Sequence, residues 1–242
     1  MNQLRRWWWR QYFEPGPLGW LANPFYFARR GLWRGIAALA GTLTGEVLDV
    51  GCGRKPYRDL VPAARYVGLE VDSPAARALG VADVYYDGAA LPFADASFDA
   101  VICSEVLEHI FTPEEFLREI HRVLRPAGRL LLTVPFAWDE HEQPRDFARY
   151  SSFGLGALLE RAGFEILERR KSVEGGQALF QLSSAYLYKV TRSRSRVFNH
   201  LAQLVMIAPV NLLGVLAGGV LPRNADFYLD NIVLARRPAS PA

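Results

Sequence analysis

The chain has 242 residues, half of them hydrophobic and 22% charged, so it can bury a sizeable core and global disorder is excluded. This length favours one α/β domain with added segments over two full domains. The formal net charge of +3 is too small to indicate nucleic-acid binding. Two cysteines, Cys52 and Cys103, make neither a disulfide framework nor a zinc site, so we expect no metal and a reduced, cytoplasmic setting.

The first residues, 1–24, are rich in Trp, Arg, Pro and Gly and follow no clear period, whereas 25–40 has a helical pattern. The run Trp7-Trp8-Trp9 is too short for the apolar core of a signal peptide. We therefore expect 1–40 to be a lead-in that ends in a helix.

Patterns typical of strands and helices then alternate along the chain. Short β-rich runs predict strands at 46–50, 66–71, 84–86, 98–103, 129–134, 164–167 and 227–234. Helices are predicted at 75–79, from Pro113 onward and at 152–162, with Thr112 as the cap of the second helix and Pro126-Ala127-Gly128 as its end. Strands joined by helices predict an α/β fold, a doubly wound and mostly parallel seven-stranded sheet with helices on both faces.

The sheet is expected to belong to a core at 41–173, with the last strand and a tail in 224–242. Between them lies an apolar insert at 174–223, for which we expect helices. A membrane-spanning helix at 201–221 would place the last strand across the bilayer, where it could not complete the sheet.

Within 201–221, Gln203, Pro209, Asn211 and the pair Gly218-Gly219 weaken the pattern of one long helix. A helical hairpin that contacts lipid and covers a binding site is the main expectation for this stretch. An ordinary packed insert or a dimer face is the alternative.

Two segments, 1–35 and 192–223, combine tryptophan or apolar residues with arginine. Trp and Arg favour the depth of lipid headgroups. A peripheral membrane contact through these two segments is therefore expected.

The first strand ends in a loop, Asp49-Val50-Gly51-Cys52-Gly53. Doubly wound sheets bind ligands beyond the carboxyl ends of their strands, and glycines there let the backbone approach a ligand closely. The dinucleotide fingerprint requires a third glycine three residues further on, where this chain has Pro56. Because Asp49 would also repel a pyrophosphate, the loop favours a ligand that carries an ammonium group over NAD or FAD.

Five segments resemble, in order and spacing, the motifs of class I S-adenosylmethionine-dependent methyltransferases of the type 11 group. They are 47–53, 66–72, 87–93, 97–109 and 124–130. The resemblance implies a Rossmann-like fold, an enzyme and S-adenosylmethionine as cofactor. The loop 51–57 and the segment 141–150 further resemble a subgroup linked to bacterial surface-polysaccharide and glycolipid biosynthesis.

The resemblance also implies which residues bind the cofactor. Asp49, Gly51, Cys52 and Gly53 would hold its methionine end, Glu70 and Val71 its ribose, Asp87, Gly88 and Ala89 its adenine, and Ser104 and Glu105 would line the methionine arm. Asp72 is an alternative ribose acid, but a helix cap is the expected role for it, and a turn residue is the alternative role for Asp87. Cys52 and Cys103 are expected to be buried as small hydrophobic residues.

Methyl transfer from a sulfonium is an in-line displacement in which the protein mainly aligns acceptor and methyl group. The segment 135–150, after the fifth strand, is dense in aromatic and titratable residues. Because imidazole titrates near neutral pH, we expect His141 to be the general base or to orient the acceptor. Asp146 and Arg149 are expected to form a structural ion pair, and His109 is expected to be structural rather than a catalytic partner of Glu108.

The expected acceptor is a small molecule, a sugar or a glycolipid. The alternatives are a quinone or an isoprenoid-type lipid, or a cofactor-binding partner subunit without turnover. A nucleic-acid substrate is disfavoured, because Ser104-Glu105-Val106-Leu107 stands where a motif of the Asn/Asp-Pro-Pro-Tyr type would follow the fourth strand. A homodimer is a further expectation.

Overall fold

The computed structural model describes residues 11–222 and 224–239, and within these it contains one seven-stranded sheet in the order β3-β2-β1-β4-β5-β7-β6. The strands are β1 (Gly45–Val50), β2 (Ala63–Val71), β3 (Val84–Tyr86), β4 (Phe98–Ser104), β5 (Leu124–Pro135), β6 (Glu165–Lys171) and β7 (Asp230–Arg236). The pairs β1–β2, β1–β4, β2–β3 and β4–β5 are parallel. The predicted Rossmann-like α/β fold is therefore confirmed. The run Trp7-Trp8-Trp9 and the membrane contact expected for it lie outside the described residues.

The helices occur between the strands and before the sheet. They are α1 (Gly19–Ala22), α2 (Tyr26–Ala40), α3 (Pro74–Leu79), α4 (Pro113–Val123), α5 (Ser152–Arg161), α6 (Gly176–Thr191), α7 (Arg196–Ala202) and α8 (Ala208–Ala217). A π-helical turn at Gln203–Ile207 connects α7 to α8.

The central strands are buried on both faces, as expected for strands covered by helices on each side. Leu48, Val101 and Leu130 are fully buried in one cluster with Leu117 and Ile120 of α4. Burying a side chain of this size contributes roughly 1.5–3 kcal/mol. The middle of the sheet is therefore a rigid platform for the loops that follow β1, β4 and β5.

Two expected helix caps differ in the structure. Ser73, not Asp72, caps α3, since Ser73 Oγ accepts a hydrogen bond of 3.1 Å from the N–H of Ala76, whereas Asp72 pairs with Arg77 at 2.7 Å. Serine reaches the free N–H groups of the first turn from the position directly before Pro74. Thr112 does occupy the cap position of α4, but its side chain makes no capping hydrogen bond.

The end of α4 also differs from the prediction. The helix stops at Val123 and β5 begins at Leu124, so Pro126-Ala127-Gly128 lies inside the strand rather than between helix and strand. Ala127 has a φ of 64°, and its N–H donates to the carbonyl of Arg237 at 2.9 Å. The segment Pro126-Ala127-Gly128 does contain a turn-like backbone at Ala127, but it lies within β5 and does not end α4.

The chain divides into two compact units. The core unit comprises Gly35–Arg170 and the chain from Asn231 onward, and contains most of the sheet. The helical unit comprises the described residues up to Arg34 together with Lys171–Asp230. The described part of the lead-in up to Arg34 thus belongs to the same unit as the insert, whereas 35–40 belongs to the core unit.

In the helical unit, the expected hairpin within 201–221 is not formed. Arg196–Ala217 is one continuous run of helix. Proline is tolerated because Pro209 lies in the first turn of α8, directly after the π-helical turn, where the ladder of backbone hydrogen bonds is already shifted. Gly218 follows the end of α8.

Candidate cofactor and acceptor site

The carboxyl ends of β1 and β4 mark the point where the strand order reverses, since the chain passes from β1 to β2 on one side and later to β4 on the other. Open α/β sheets bind ligands at this switch point. Gly51, Cys52 and Gly53 follow β1, and Glu105 follows β4. Because Val50 pairs with Cys103, the two predicted loops leave the sheet side by side.

The loop after β1 follows a backbone course that requires glycine. Gly51 and Gly53 have φ values of 68° and 48°, in the left-handed region. A Cβ at Gly51 would lie 2.3 Å from Cγ2 of Val106, whereas a Cβ at Gly53 would meet no heavy atom within 4 Å. The missing side chain of Gly51 therefore allows the two loops to pack, and that of Gly53 leaves open space beside the backbone.

Asp49 lies in β1 directly before this loop and is 6% exposed. Its Oδ2 accepts a hydrogen bond of 2.7 Å from the hydroxyl of Tyr66. Burial raises the pKa of Asp49 to about 7, although the Tyr66 hydrogen bond and the charge of Lys55 lower it. Since desolvation disfavours the ionised carboxyl, a bound ammonium group would stabilise the charge of Asp49.

The expected ribose and adenine residues lie at the ends of β2 and β3. Glu70 Oε2 accepts a hydrogen bond of 2.9 Å from the N–H of Gly53, and its Oε1 accepts from the N–H of Val71 at 3.1 Å. The acid at the end of β2 is thus joined to the loop after β1. A Cβ at Gly88 would lie 3.9 Å from Cγ2 of Val71, so the two loops are neighbours.

Asp87 and Ala89 complete the loop after β3. Asp87 Oδ1 accepts a hydrogen bond of 2.9 Å from the N–H of Ala89, and Gly88 between them has a φ of 88°. This is the turn that was the alternative role for Asp87. An exposed carboxylate in such a turn keeps further lone pairs for a ligand.

Ser104 and Glu105 are linked through a residue of the neighbouring strand. Thr133 donates from Oγ1 to Glu105 Oε1 at 2.9 Å, and Ser104 Oγ lies 2.8 Å from the same hydroxyl. The N–H of Glu105 donates to the carbonyl of Thr133 at 3.0 Å. Glu105 has a φ of 56°, so its loop turns away sharply where β4 ends.

After β5, the segment expected to meet the acceptor is held by one ion pair. Arg149 donates from Nη1 and Nη2 to the two oxygens of Asp146, at 2.6 and 2.7 Å, which is the pairing expected from the sequence. These hydrogen bonds hold the pKa of Asp146 well below its usual range. Arg149 also donates to the carbonyls of Trp138 and Asp139, which cross-links the loop.

His141 is fixed by this ion pair. Its N–H donates to Asp146 Oδ2 at 2.9 Å, and its ring Nδ1 lies 3.4 Å from the same oxygen and 3.2 Å from the carbonyl of Asp139. Arg149 Nη2 also lies 3.4 Å from Nδ1, but it donates at shorter distances to Asp146 Oδ2 and to the carbonyl of Asp139, 2.7 and 2.9 Å. The two acceptors near Nδ1 therefore favour the tautomer protonated at Nδ1. The lone pair of that tautomer is on Nε2.

Glu108 and His109 join His141 in a cluster. Glu108 is fully buried, and its Oε1 lies 3.7 Å from His109 Nε2 and 3.9 Å from His141 Nε2. The two imidazole rings meet edge to face, with centroids 4.9 Å apart. One donor atom from each of the three residues lies within 4.8 Å of the others, so this group could hold a metal ion.

The two cysteines are buried and free, as the sequence predicted. Burial raises the pKa of Cys52 to about 12 and that of Cys103 well above its ordinary value. Both thiols are therefore protonated at neutral pH and pack as small hydrophobic groups.

Sequence reasoning missed two contributors to this site, Tyr66 and Thr133. It considered the buried Glu108 only as a disfavoured catalytic partner of His109. Tyr66 belonged to a recognised strand, but its contact with Asp49 requires the register of β1 against β2. Thr133 is a buried polar residue in an apolar strand, which is the pattern that could have identified it.

The residues present fit S-adenosylmethionine. Open space beside Gly53 admits the ligand, the buried carboxyl of Asp49 suits its ammonium group, and the carboxylate of Glu70 suits vicinal hydroxyls. Asp49 and Gly53 lie at the switch point of the sheet, and Glu70 of the neighbouring β2 is hydrogen-bonded to Gly53.

Residues 48–132 match the family model described as a methyltransferase domain. Similar proteins include a probable S-adenosylmethionine-dependent methyltransferase of Mycolicibacterium smegmatis, 33% identical over 154 residues that make up 58% of this chain and 60% of that protein. An uncharacterized methyltransferase of Mycolicibacterium gilvum is 29% identical over 225 residues, 86% of this chain and 81% of that protein.

Among solved structures, that of the 4+2 cyclase SpnF has a TM-score of 0.56 at 22% identity, covering 85% of this chain and 80% of that one. This likeness shows the fold alone. The chain spans 60% of the length of the M. smegmatis relative. Residues 48–132 are similar to a methyltransferase domain.

Proposed function

We propose that the chain transfers a methyl group from S-adenosylmethionine to a small-molecule, sugar or glycolipid acceptor. One observation supports this most directly. The expected cofactor residues lie at the carboxyl ends of β1, β2, β3 and β4, and the cluster of Glu108, His109 and His141 belongs to the loops that follow β4 and β5. Such an arrangement brings a sulfonium and a nucleophile to one edge of the sheet, where alignment is most of the catalysis.

For a hydroxyl acceptor, His141 is proposed as the general base. Bound S-adenosylmethionine supplies an electrophilic methyl group on a good leaving group. The acceptor oxygen loses its proton to Nε2 of His141 as the oxygen–carbon bond forms and the sulfur–carbon bond breaks. Glu108, 3.9 Å from Nε2, would stabilise the imidazolium, while Asp146 holds the ring through the backbone and Nδ1.

The cluster has a second candidate role, as a metal site, because its donor atoms lie within 4.8 Å of one another. A divalent cation held by Glu108, His109 and His141 would lower the pKa of an acceptor hydroxyl without a base. The two roles predict opposite responses to metal. If His141 is the base, turnover survives chelation. A metal site instead loses turnover on chelation and regains it with added Mg²⁺, Mn²⁺ or Zn²⁺.

The fold does not decide the acceptor, because one fold hosts different chemistries. A quinone or isoprenoid-type lipid is the second acceptor class, and a cofactor-binding partner subunit without turnover is the alternative outside catalysis. We propose a cytoplasmic protein in each case, and a homodimer as its assembly.

The decisive experiment is transfer of labelled methyl from S-adenosylmethionine into a lipid and sugar extract, with His141→Gln as the matched variant. The proposal expects label in an extractable product, and loss of at least about a hundred-fold in rate for His141→Gln at unchanged cofactor affinity. Calorimetric binding of S-adenosylmethionine without any labelled product would favour the partner subunit. Full turnover by His141→Gln would remove the base assignment.

A further inference from the structure

The helix run Arg196–Ala217 in the helical unit presents apolar side chains to the outside. By length and composition alone its 22 residues could cross a membrane, yet only 33% of its most apolar window is buried. Val197, Leu201 and Val205 follow one another at four-residue spacing, which places them on one side of the helix, and they are 72%, 55% and 70% exposed. Leu216, further along, is 61% exposed. Apolar exposure on this scale marks an interaction surface.

Two amide side chains of the same run, Gln203 and Asn211, are buried instead. Asn211 is fully buried and donates from Nδ2 to the carbonyls of Trp20 and Asn23, both at 3.0 Å. Gln203 donates to the carbonyl of Leu21 at 3.2 Å, and Ser184 of α6 donates to Asn211 Oδ1 at 2.8 Å. An amphipathic helix in water has the reverse arrangement, with apolar residues inside.

Helix α6 shows the same chemistry. Gln181 is fully buried, accepts from the N–H groups of Phe27 and Ala28 at 2.9 and 3.1 Å, and donates to the carbonyl of Pro24 at 2.9 Å. The buried side chains of α6, α7 and α8 are otherwise mostly small, among them Ala178, Ala185, Ala202 and Ala208. Small residues and buried amide hydrogen bonds are what holds helices together in lipid.

The charge of this segment identifies the partner. From 175 to 225 the chain has five basic residues, Lys189, Arg192, Arg194, Arg196 and Arg223, and no Asp or Glu. Since the whole chain carries +3, the remainder has a net charge of −2. The apolar face and a local excess of positive charge thus occur together, which suits an anionic lipid surface.

A membrane-spanning arrangement does not fit these observations. Strands β6 and β7 flank the insert and belong to the same sheet, so a single span would separate them. The turn between α6 and α7 contains Arg192 and Arg194, and Arg196 begins α7. A hairpin of two spans would carry these arginines through the centre of the bilayer, where charges are costly. The helices therefore suit the interface rather than the interior of the membrane.

We propose that the helical unit binds the surface of an anionic lipid bilayer. The run Arg196–Ala217 lies in the plane of the interface, its apolar side chains enter the boundary between headgroups and acyl chains, and the arginines at its start contact lipid phosphates. This binding goes beyond the proposed methyl transfer and does not depend on it.

Co-sedimentation of the full chain with vesicles tests this inference. Vesicles of phosphatidylcholine mixed with phosphatidylglycerol are expected to bind the protein, and vesicles of phosphatidylcholine alone to bind it weakly. Raising the salt from about 0.1 M to about 1 M shortens the Debye length from ~10 Å to ~3 Å and should weaken the binding.

The double variant Val205→Gln/Leu216→Gln should bind roughly a hundred-fold more weakly, on the order of ten-fold per side chain. Both positions are exposed, so the fold is retained, which circular dichroism checks. The matched control is Phe111→Gln/Phe153→Gln in the core unit, where the two side chains are 78% and 84% exposed. This control should bind like the unchanged protein.

The variant Arg194→Gln/Arg196→Gln should bind anionic vesicles about five-fold more weakly for each arginine removed. Its charge-matched control is Arg65→Gln/Arg161→Gln in the core unit. The inference is overturned if the unchanged protein does not bind anionic vesicles, or if the core-unit variants lose binding equally. It is also overturned if light scattering shows a dimer that Val205→Gln/Leu216→Gln converts to a monomer without any lipid binding, because the face is then a contact between two copies.

Discussion

Asp49 should make cofactor binding depend on pH, and Tyr66 should set the pH at which it does so. Burial raises the pKa of Asp49 to about 7. If the ionised carboxylate holds the ligand's ammonium group, the affinity should fall up to ten-fold for each pH unit below about 7. It should level off above that value, until an α-ammonium begins to lose its proton near pH 8.

The variant Tyr66→Phe removes the hydrogen bond of 2.7 Å that stabilises the ionised carboxylate. A hydrogen bond to a charged group contributes about 1.5–3 kcal/mol, so its loss should raise the pKa of Asp49 by about one unit or more. For a shift of about one unit, the affinity should fall about five-fold at pH 7 and about ten-fold at pH 6.

Isothermal titration with S-adenosylmethionine between about pH 5 and pH 8 measures this dependence. Asp49→Asn is the control, because an amide cannot titrate and should bind weakly at every pH. The same variant should stabilise the ligand-free protein at pH 8 by up to about 4 kcal/mol, since the raised pKa of the acid costs stability as the pH rises from about 4 to about 7. A pH profile of Tyr66→Phe that coincides with that of the unchanged protein would refute the coupling of Asp49 to the ligand.

Three further outcomes are expected. Gly51→Ala should destabilise the fold by more than about 1–2 kcal/mol, because its φ is 68° and its Cβ would lie 2.3 Å from Cγ2 of Val106. Gly53→Ala has a φ of 48° but no neighbour for its Cβ, so it should cost only about 1–2 kcal/mol and should also weaken the binding of S-adenosylmethionine. Thermal unfolding and calorimetry measure the two effects separately. Arg149→Ala should destabilise the protein by about 1.5–3 kcal/mol in chemical denaturation, as expected for loss of hydrogen bonds to a charged group, because Asp146 then loses both hydrogen bonds from Arg149 and keeps that from the N–H of His141. The loss should shrink in acid as Asp146 becomes protonated. Glu70→Gln should weaken the binding of S-adenosylmethionine more than that of free methionine, because only S-adenosylmethionine has a ribose. Equal losses of affinity in competition binding would contradict the ribose assignment.

The fold could be predicted because its strands are short apolar runs, and helices separate most of them. Burial on both faces of the sheet imposes such runs on β1, β4 and β5. Errors occurred where two local solutions compete. Ser73 and Asp72 are both capping residues, and only the geometry at Pro74 decides that Ser73 accepts the hydrogen bond while Asp72 binds Arg77.

The cofactor loop was recognisable because φ values such as 68° and 48° select glycine, and this selection is visible in the sequence. The acceptor side was only partly recognisable. His141, Asp146 and Arg149 are close in sequence, so their pairing could be foreseen, whereas Glu108 lies more than thirty residues earlier and meets His141 only because β4 and β5 are neighbours. Contacts set by strand adjacency need the sheet order before they can be assigned.

The insert shows a different limit of sequence patterns. Periodicity reveals that one face of a helix differs from the other, but not which face is inside. Gln203 and Asn211 indicated an interruption of the apolar helix, because amides are usually solvated. In the structure both amides are buried and bind backbone carbonyls, while Val205 and Leu216 are exposed. The same residues that weakened the prediction of a helix therefore give the strongest physical reason to place that helix against lipid.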